Sequence, residues 1–111
     1  MIKVWHKIEP TFDEDLEKIA KAWRSGGYEC VAEVGTPAEG HTEQEWAFYR
    51  TNSIDHVWTE NGDVKPIRKH IRSTFVGDIV ECSNGHLLIC DWAGWKELPT
   101  GIPSDYPDGY R

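Results

Sequence analysis

Most of the features that announce a function are missing from this chain of 111 residues. No apolar run approaches the ~18 residues of a membrane span. Lys3 and His6 interrupt the amino-terminal stretch too early for a secretory signal, so a cytoplasmic protein without membrane contact is expected. Cysteine is scarce: Cys30, Cys82 and Cys90 are odd in number and widely spaced, which predicts reduced thiols packed as small apolar side chains. There is no Cys-x-x-Cys and no histidine pair at the i, i+4 spacing of a helical metal site, and no cofactor motif, so neither metal nor cofactor is expected. Positive charge is in deficit as well. Twelve Lys and Arg face nineteen Asp and Glu, for a net charge of −7. That balance argues against broad contact with a nucleic-acid backbone and suits a basic partner or plain solubility.

A catalytic motif is also lacking. Asp55-His56 is a candidate acid–base pair, with Ser53, Thr51 and Ser73 as candidate nucleophiles. A working triad needs nucleophile, base and orienting group within hydrogen-bond reach, and neighbouring residues of a strand or loop point apart. A non-enzymatic protein is expected; an enzyme would need Asp55, Arg72, Ser73 and Asp78 to meet in one pocket. Asp55 and Asp78 also suit chain bends, where a carboxylate accepts backbone amides, and Arg72 is placed to pair with Asp78 across the Phe75-Val76-Gly77 loop.

What the chain does have is a strong hairpin signal. Asn84-Gly85 lies between the runs Asp78–Cys82 and Leu87–Asp91. A two-residue loop would pair Ser83 with His86, Cys82 with Leu87 and Val80 with Ile89. Val80, Cys82, Leu87 and Ile89 would then share an apolar face, and Cys82 and Cys90 would lie on opposite faces. That separation discourages a zinc site from Cys82, His86 and Cys90. Trp95, Glu97 and Leu98 predict a third strand, completing an antiparallel meander.

Upstream, Ile2, Val4, His6 and Ile8 alternate with polar neighbours and predict a strand. Thr11 and Glu14 form a candidate capping box before Phe12, Leu16, Ile19, Ala20 and Trp23 at helical spacing, and Gly26-Gly27 end the helix. Tyr28, Cys30, Ala32 and Val34 alternate in a second strand, which would make a right-handed β-α-β unit if parallel to the first. Trp46–Thr51 alternates and is read as a strand, although Gln44–Ala47 also tolerates a helix. Asn61-Gly62 is a second tight-turn candidate. The fold expected is α+β: one domain over residues 1–98 with a β-α-β start and a curved, mainly antiparallel, half-barrel-like sheet. Residues 99–111 read as an irregular Pro/Gly/Tyr tail.

Two features suggest contact with a partner. Lys65, Arg68, Lys69, His70 and Arg72 form a basic strip in an acidic chain, suited to RNA, single-stranded nucleic acid or an acidic surface, or else to a solvated edge strand with Ile67 and Ile71 turned inward. Trp58 and Phe75 lie near it in sequence. The six tryptophans form the second feature, with Trp58, Trp92 and Trp95 as candidate contacts because exposed aromatics dominate interface hot spots.

Two segments carry a family resemblance. Ala47-Phe48-Tyr49-Arg50-Thr51-Asn52-Ser53-Ile54-Asp55 with Trp58, and Arg72-Ser73-Thr74-Phe75-Val76-Gly77-Asp78-Ile79-Val80 with Gly94-Trp95, resemble the YodL-like domain and related small phage and plasmid proteins. The match spans residues 46–98. Phe75 replaces a serine of that pattern and Trp95 a phenylalanine. The resemblance implies a mobile-element origin and a small accessory role toward a host or viral protein, in the host cytoplasm, and it marks no catalytic residue.

Overall fold

Strict alternation builds the central strand. In β1 (Ile2–Lys7) Ile2, Val4 and His6 are buried while Lys3, Trp5 and Lys7 are half-buried on the other side; Ile8, expected inward, is exposed. The computed structural model describes residues 1–9, 15–52, 57–67, 71–92 and 94–98. Around β1 the chain adds α1 (Leu16–Arg24), β2 (Tyr28–Val34), α2 (Glu43–Arg50), a 3₁₀ turn (Trp58–Glu60), β3 (Val64–Pro66), β4 (Ile79–Glu81), β5 (Leu87–Asp91) and β6 (Gly94–Leu98). The strands form one open antiparallel sheet in the order β3-β2-β1-β4-β5-β6, an α+β architecture that ends in the expected meander. Among the described residues no helix is long and apolar enough to cross a membrane.

The β-α-β order holds, but β2 runs antiparallel to β1, so the parallel right-handed unit does not form. The bulge between them has a second effect. Val4 pairs with Ala32 while Trp5 pairs with Cys30, which leaves Val31 as the extra residue of β2. Ala32 and Val34 therefore join the face of Ile2 and Val4, whereas Tyr28 and Cys30 join that of Trp5. The single face expected for these four residues is divided in two.

Both sheet faces are covered. On one, Ile79, Leu87, Ile89, Leu98 and Tyr28 pack with Ile19, Ala20, Ala22 and Trp23 of α1 and with Trp5, whose ring meets Trp23 edge-on at 5.0 Å. Asp15 caps α1, its carboxylate accepting the Glu17 N–H; the capping box expected at Thr11 and Glu14 lies outside the described residues. On the other face Ile2, Val4, Val34, Val64, Val80 and Cys82 pack with Ala47 of α2 and with Trp58.

Residues 43–50 are a helix, not the strand expected over 46–51. Thr42 caps it by accepting the Glu45 N–H at 3.2 Å, with acids in its first turn and Arg50 in its last. Capping and dipole outweigh six residues of alternation, and Ala47 and Thr51, four apart, both reach the core. Side chains moor both ends: Glu43 accepts the Ser83 N–H and hydroxyl at 2.8 and 2.6 Å, and Arg50 grips Asp63 at 2.6 Å.

The hairpin register differs from the two-residue loop by one position. Ile79 pairs with Ile89, Val80 with Leu88 and Glu81 with Leu87. The loop has three residues: the Gly85 N–H donates to the Cys82 carbonyl, the Cys82 N–H donates to the His86 carbonyl, and Gly85 takes φ +91°. This is a turn closed by a glycine bulge, and it moves every β5 side chain to the opposite face. Leu88 therefore joins Val80, while Leu87 and Ile89 join Ile79. Cys82 and Cys90 now share a face, but four ladder positions, roughly 13 Å, separate them. Burial, with Glu43 nearby, pushes the Cys82 thiol up to about 11, so it is an unreactive apolar group.

Gly85→Ala should cost about 1–2 kcal/mol in urea unfolding, because only the positive φ is strained; a Cβ there meets nothing within 4 Å. Gly62→Ala, equally open but without positive φ, should stay within about 0.5 kcal/mol. A second prediction concerns acid. The Ser83 hydrogen bonds hold the Glu43 carboxyl below its ordinary range; burial pulls the Asp63 carboxyl up, but the Arg50 bonds, a backbone amide and the Arg50 charge together hold it below its own. Depressed carboxyls stabilise the fold above their ordinary pKa, near 4, and that stability is lost as pH falls through the lower folded-state values. The Glu43→Gln, Asp63→Asn double variant should flatten the acid limb of a stability–pH curve followed by urea midpoints.

Candidate interaction surface

The segment Arg72–Asp78 is a turn built around one carboxylate. Gly77 takes φ +95°, the Asp78 N–H donates to the Phe75 carbonyl at 3.0 Å, and Gly77 and Asp78 together oppose Cys90 in a second glycine bulge. Asp78 is buried beneath this turn. Its Oδ1 accepts the Lys7 N–H at 2.9 Å and Arg72 Nη2 at 2.8 Å; its Oδ2 accepts the Phe75 N–H at 2.7 Å and Arg72 Nη1 at 2.6 Å. Arg72 also donates to the carbonyls of Ser73 and Lys7, and its bonds to Asp78 raise its pKa further. The Tyr28 hydroxyl closes the turn from behind, donating to the Gly77 carbonyl at 2.5 Å.

A buried relay joins this hub to α2. Thr51 Oγ1 donates to the Ala47 carbonyl at 2.7 Å, so its lone pair receives the Thr74 hydroxyl proton at 2.5 Å. Thr74 Oγ1 in turn accepts from His6 Nε2 at 2.9 Å, which places a proton on that nitrogen. The same Nε2 lies 3.8 Å from Asp78 Oδ2. Thr51, Thr74, His6 and Asp78 are all buried, the first three linked by hydrogen bonds and Asp78 held by Arg72 and the backbone. The network joins β1, α2 and the Arg72–Asp78 turn, and both of its hydroxyls are buried.

The residues expected to mark a site are dispersed. Lys65 is exposed on β3, at one margin of the sheet. Arg68, Lys69, His70, Ser53, Asp55 and His56 lie outside the described residues, as does the tail 99–111. Arg72 and Asp78 do pair across the turn, with Ser73 beside them. Ile71 packs against the core, but Ile67 is exposed rather than inward. Trp58 is excluded as a contact: it is fully buried and its indole N–H donates to the carbonyls of Ile71 and Arg72 at 3.0 Å. Trp95 is half-buried and meets Phe48 edge-on at 6.1 Å. Among the described residues no three His, Cys, Asp or Glu are placed to hold a metal.

What the fold assembles instead is an aromatic pair. Phe75, 43% exposed, and Trp92, 67% exposed, meet edge-on with centroids 5.6 Å apart. Phe75 stands on the Asp78-locked turn and Trp92 on the β5–β6 turn. The pairing was not legible as a contact, because the two are seventeen positions apart, but Phe75 was legible as a departure from the serine of the YodL-like pattern.

Asp78→Asn should lower stability by about 3 kcal/mol, the low end for breaking a buried pair because Arg72 is partly solvated. It should also loosen the turn, read as faster amide exchange at Phe75 and Gly77 with β2 exchange unchanged until global unfolding. Set against known proteins, the chain matches no family model, no curated protein and no solved structure.

Proposed function

We propose that this protein is a non-enzymatic protein-binding module whose contact surface is centred on Phe75 and Trp92. The observation that carries the reading is the pair itself: two large rings left in solvent, one edge-on to the other, with Phe75 on the turn that the buried Asp78 carboxylate holds in place. Rings held in advance lose little entropy on binding, which is what an interface anchor requires. Among the described residues Thr51, Thr74, His6 and Asp78 are engaged in the interior, which weighs against an enzyme built on them.

The RNA-binding alternative draws less support. Lys65 and the exposed aromatic pair lie toward opposite margins of the sheet, and the chain carries seven excess negative charges. The YodL-like resemblance supports a phage or plasmid accessory protein that meets a host or viral protein in the cytoplasm, and the net charge suits a basic partner.

The test is affinity capture from host lysate with wild type and a Phe75→Ala, Trp92→Ala variant of matched thermal stability. Partners held by wild type should weaken by at least 2 kcal/mol, roughly thirtyfold, in the variant. An identical set retained by both proteins would refute the reading.

A further inference from the structure

The two margins of the sheet are built differently, and the difference lies in the direction of main-chain groups. At the β3 margin, the Ile67 N–H donates to the Val31 carbonyl and the Gly35 N–H to the Asp63 carbonyl, both at 3.0 Å. Asp63, Lys65 and Ile67 therefore face β2, and Val64 and Pro66 face outward. The Val64 N–H is turned back to the Asn61 carbonyl at 3.2 Å, and Pro66 has no N–H. Over Val64–Pro66 this margin therefore offers no free donor, and Lys65 guards it with a charge, so it is poorly suited to another strand.

The β6 margin is open. The Cys90 N–H donates to the Asp78 carbonyl and the Cys82 N–H to the His86 carbonyl, both at 2.9 Å, so His86, Leu88 and Cys90 face β4. Leu87, Ile89 and Asp91 then bond β6 through Leu98, Lys96 and Gly94. Trp95 and Glu97 consequently aim both N–H and both C=O groups away from the sheet, and among the described residues nothing takes them up. Four main-chain groups in a row are a template for one more strand.

A second copy of this chain is a poor occupant. The antiparallel self-pairing that uses all four groups sets Trp95 against Glu97 of the second copy and places Lys96 opposite Lys96. A register centred on Glu97 opposes two glutamates, and one centred on Trp95 sends Glu97 against the β5–β6 turn. Like charges directly opposite destabilise a ladder. On the outer strand Glu97 remains half-exposed beside His86, on the same face as Trp95, in a chain of net charge −7. That face calls for a cation and an apolar side chain.

We infer that the open edge of β6 receives an extended, basic segment of another protein, which adds as a seventh strand through the main chain of Trp95 and Glu97. This rests on the binding-module reading above and specifies its mode: strand addition supplies the hydrogen bonds, and Trp95, with exposed Trp92 at the head of the strand, supplies the apolar contact.

The test uses the full chain and a displayed library of random peptides of roughly twelve residues, selected at low salt. Selected peptides should be rich in Lys and Arg, and a synthetic copy should slow amide exchange at Trp95 and Glu97 at least tenfold. Glu97→Pro removes an outward N–H and, with the carboxylate, the contact to His86, but no bond to β5, so the fold should persist by circular dichroism while peptide affinity falls at least tenfold. Glu97→Gln keeps the N–H and should retain most of it. Peptides that bind Glu97→Pro as tightly as wild type, or leave both amides exchanging freely, would overturn strand addition, as would a dimer that Glu97→Pro dissolves. So would a library that yields no binder, and in that case the lysate capture by Phe75 and Trp92 still decides the wider reading on its own.

Discussion

One carboxylate organises the turn between β3 and β4 and the end of the central strand. Asp78 is buried, yet each of its oxygens accepts one backbone N–H and one Arg72 nitrogen, and the backbone donors come from two different elements, the end of β1 and the turn before β4. A buried charge destabilises a fold unless hydrogen bonds and a counter-charge surround it. Here that requirement becomes a positional constraint. The turn can close only where Lys7, Phe75 and Arg72 all reach the same group, and Tyr28 fixes its far side. Phe75 is displayed at a defined place because the amide of the same residue is held from beneath.

The glycine bulges carry the same logic along the sheet. Gly77 opens β4 and Gly85 closes its hairpin, each at positive φ. Each adds a residue to one strand without a partner on the other, so side-chain parity changes across it. The bulge at Val31 does this between β1 and β2. Such parity changes let short strands supply apolar residues to two faces, with α1 on one and α2 on the other. The buried polar relay of His6, Thr74 and Thr51 lies on the α2 side, where His6 follows the plain alternation of β1 and burial strengthens its hydrogen bonds.

How far the sequence foretold this depends on what kind of information each element needs. β1, β2 and the meander were legible because alternation is local, and α1 because its apolar stripe repeats at 3.6 residues. The Arg72–Asp78 pair was legible because a six-residue separation spans one turn. Register was not: Asn84-Gly85 fits a two-residue loop and a bulged three-residue loop equally well, and only packing against both helices decides between them. The helix at 43–50 was obscured because Trp46, Phe48 and Arg50 alternate; its cap, Thr42, acts only three residues away, but its mooring, Glu43 to Ser83, acts across forty. Trp58 was misplaced for a similar reason. Tryptophan is both the best interface anchor and the largest core filler, and composition cannot say which role a given ring takes.

The sheet margins bring these strands of argument together. A protein that closes one edge with a proline, a redirected amide and a lysine has the means to close the other, yet among the described residues nothing takes up the outward groups of β6 beside exposed Trp92. Its charges, Lys96 held by Asp91 and Glu97 beside His86, forbid the symmetric pairing that would bury that edge in a dimer while leaving it accessible to a strand of different sequence. Excess negative charge adds a long-range attraction for basic segments that short-range alternation of charge along β6 would not provide by itself. Edge geometry therefore gives the backbone bonds, the aromatic pair gives contact area at the head of the strand, and the field of the whole chain biases which partners arrive. The first two features lie around β6 and the Asp78-locked turn, away from the closed margin at β3, and the third acts from the chain as a whole.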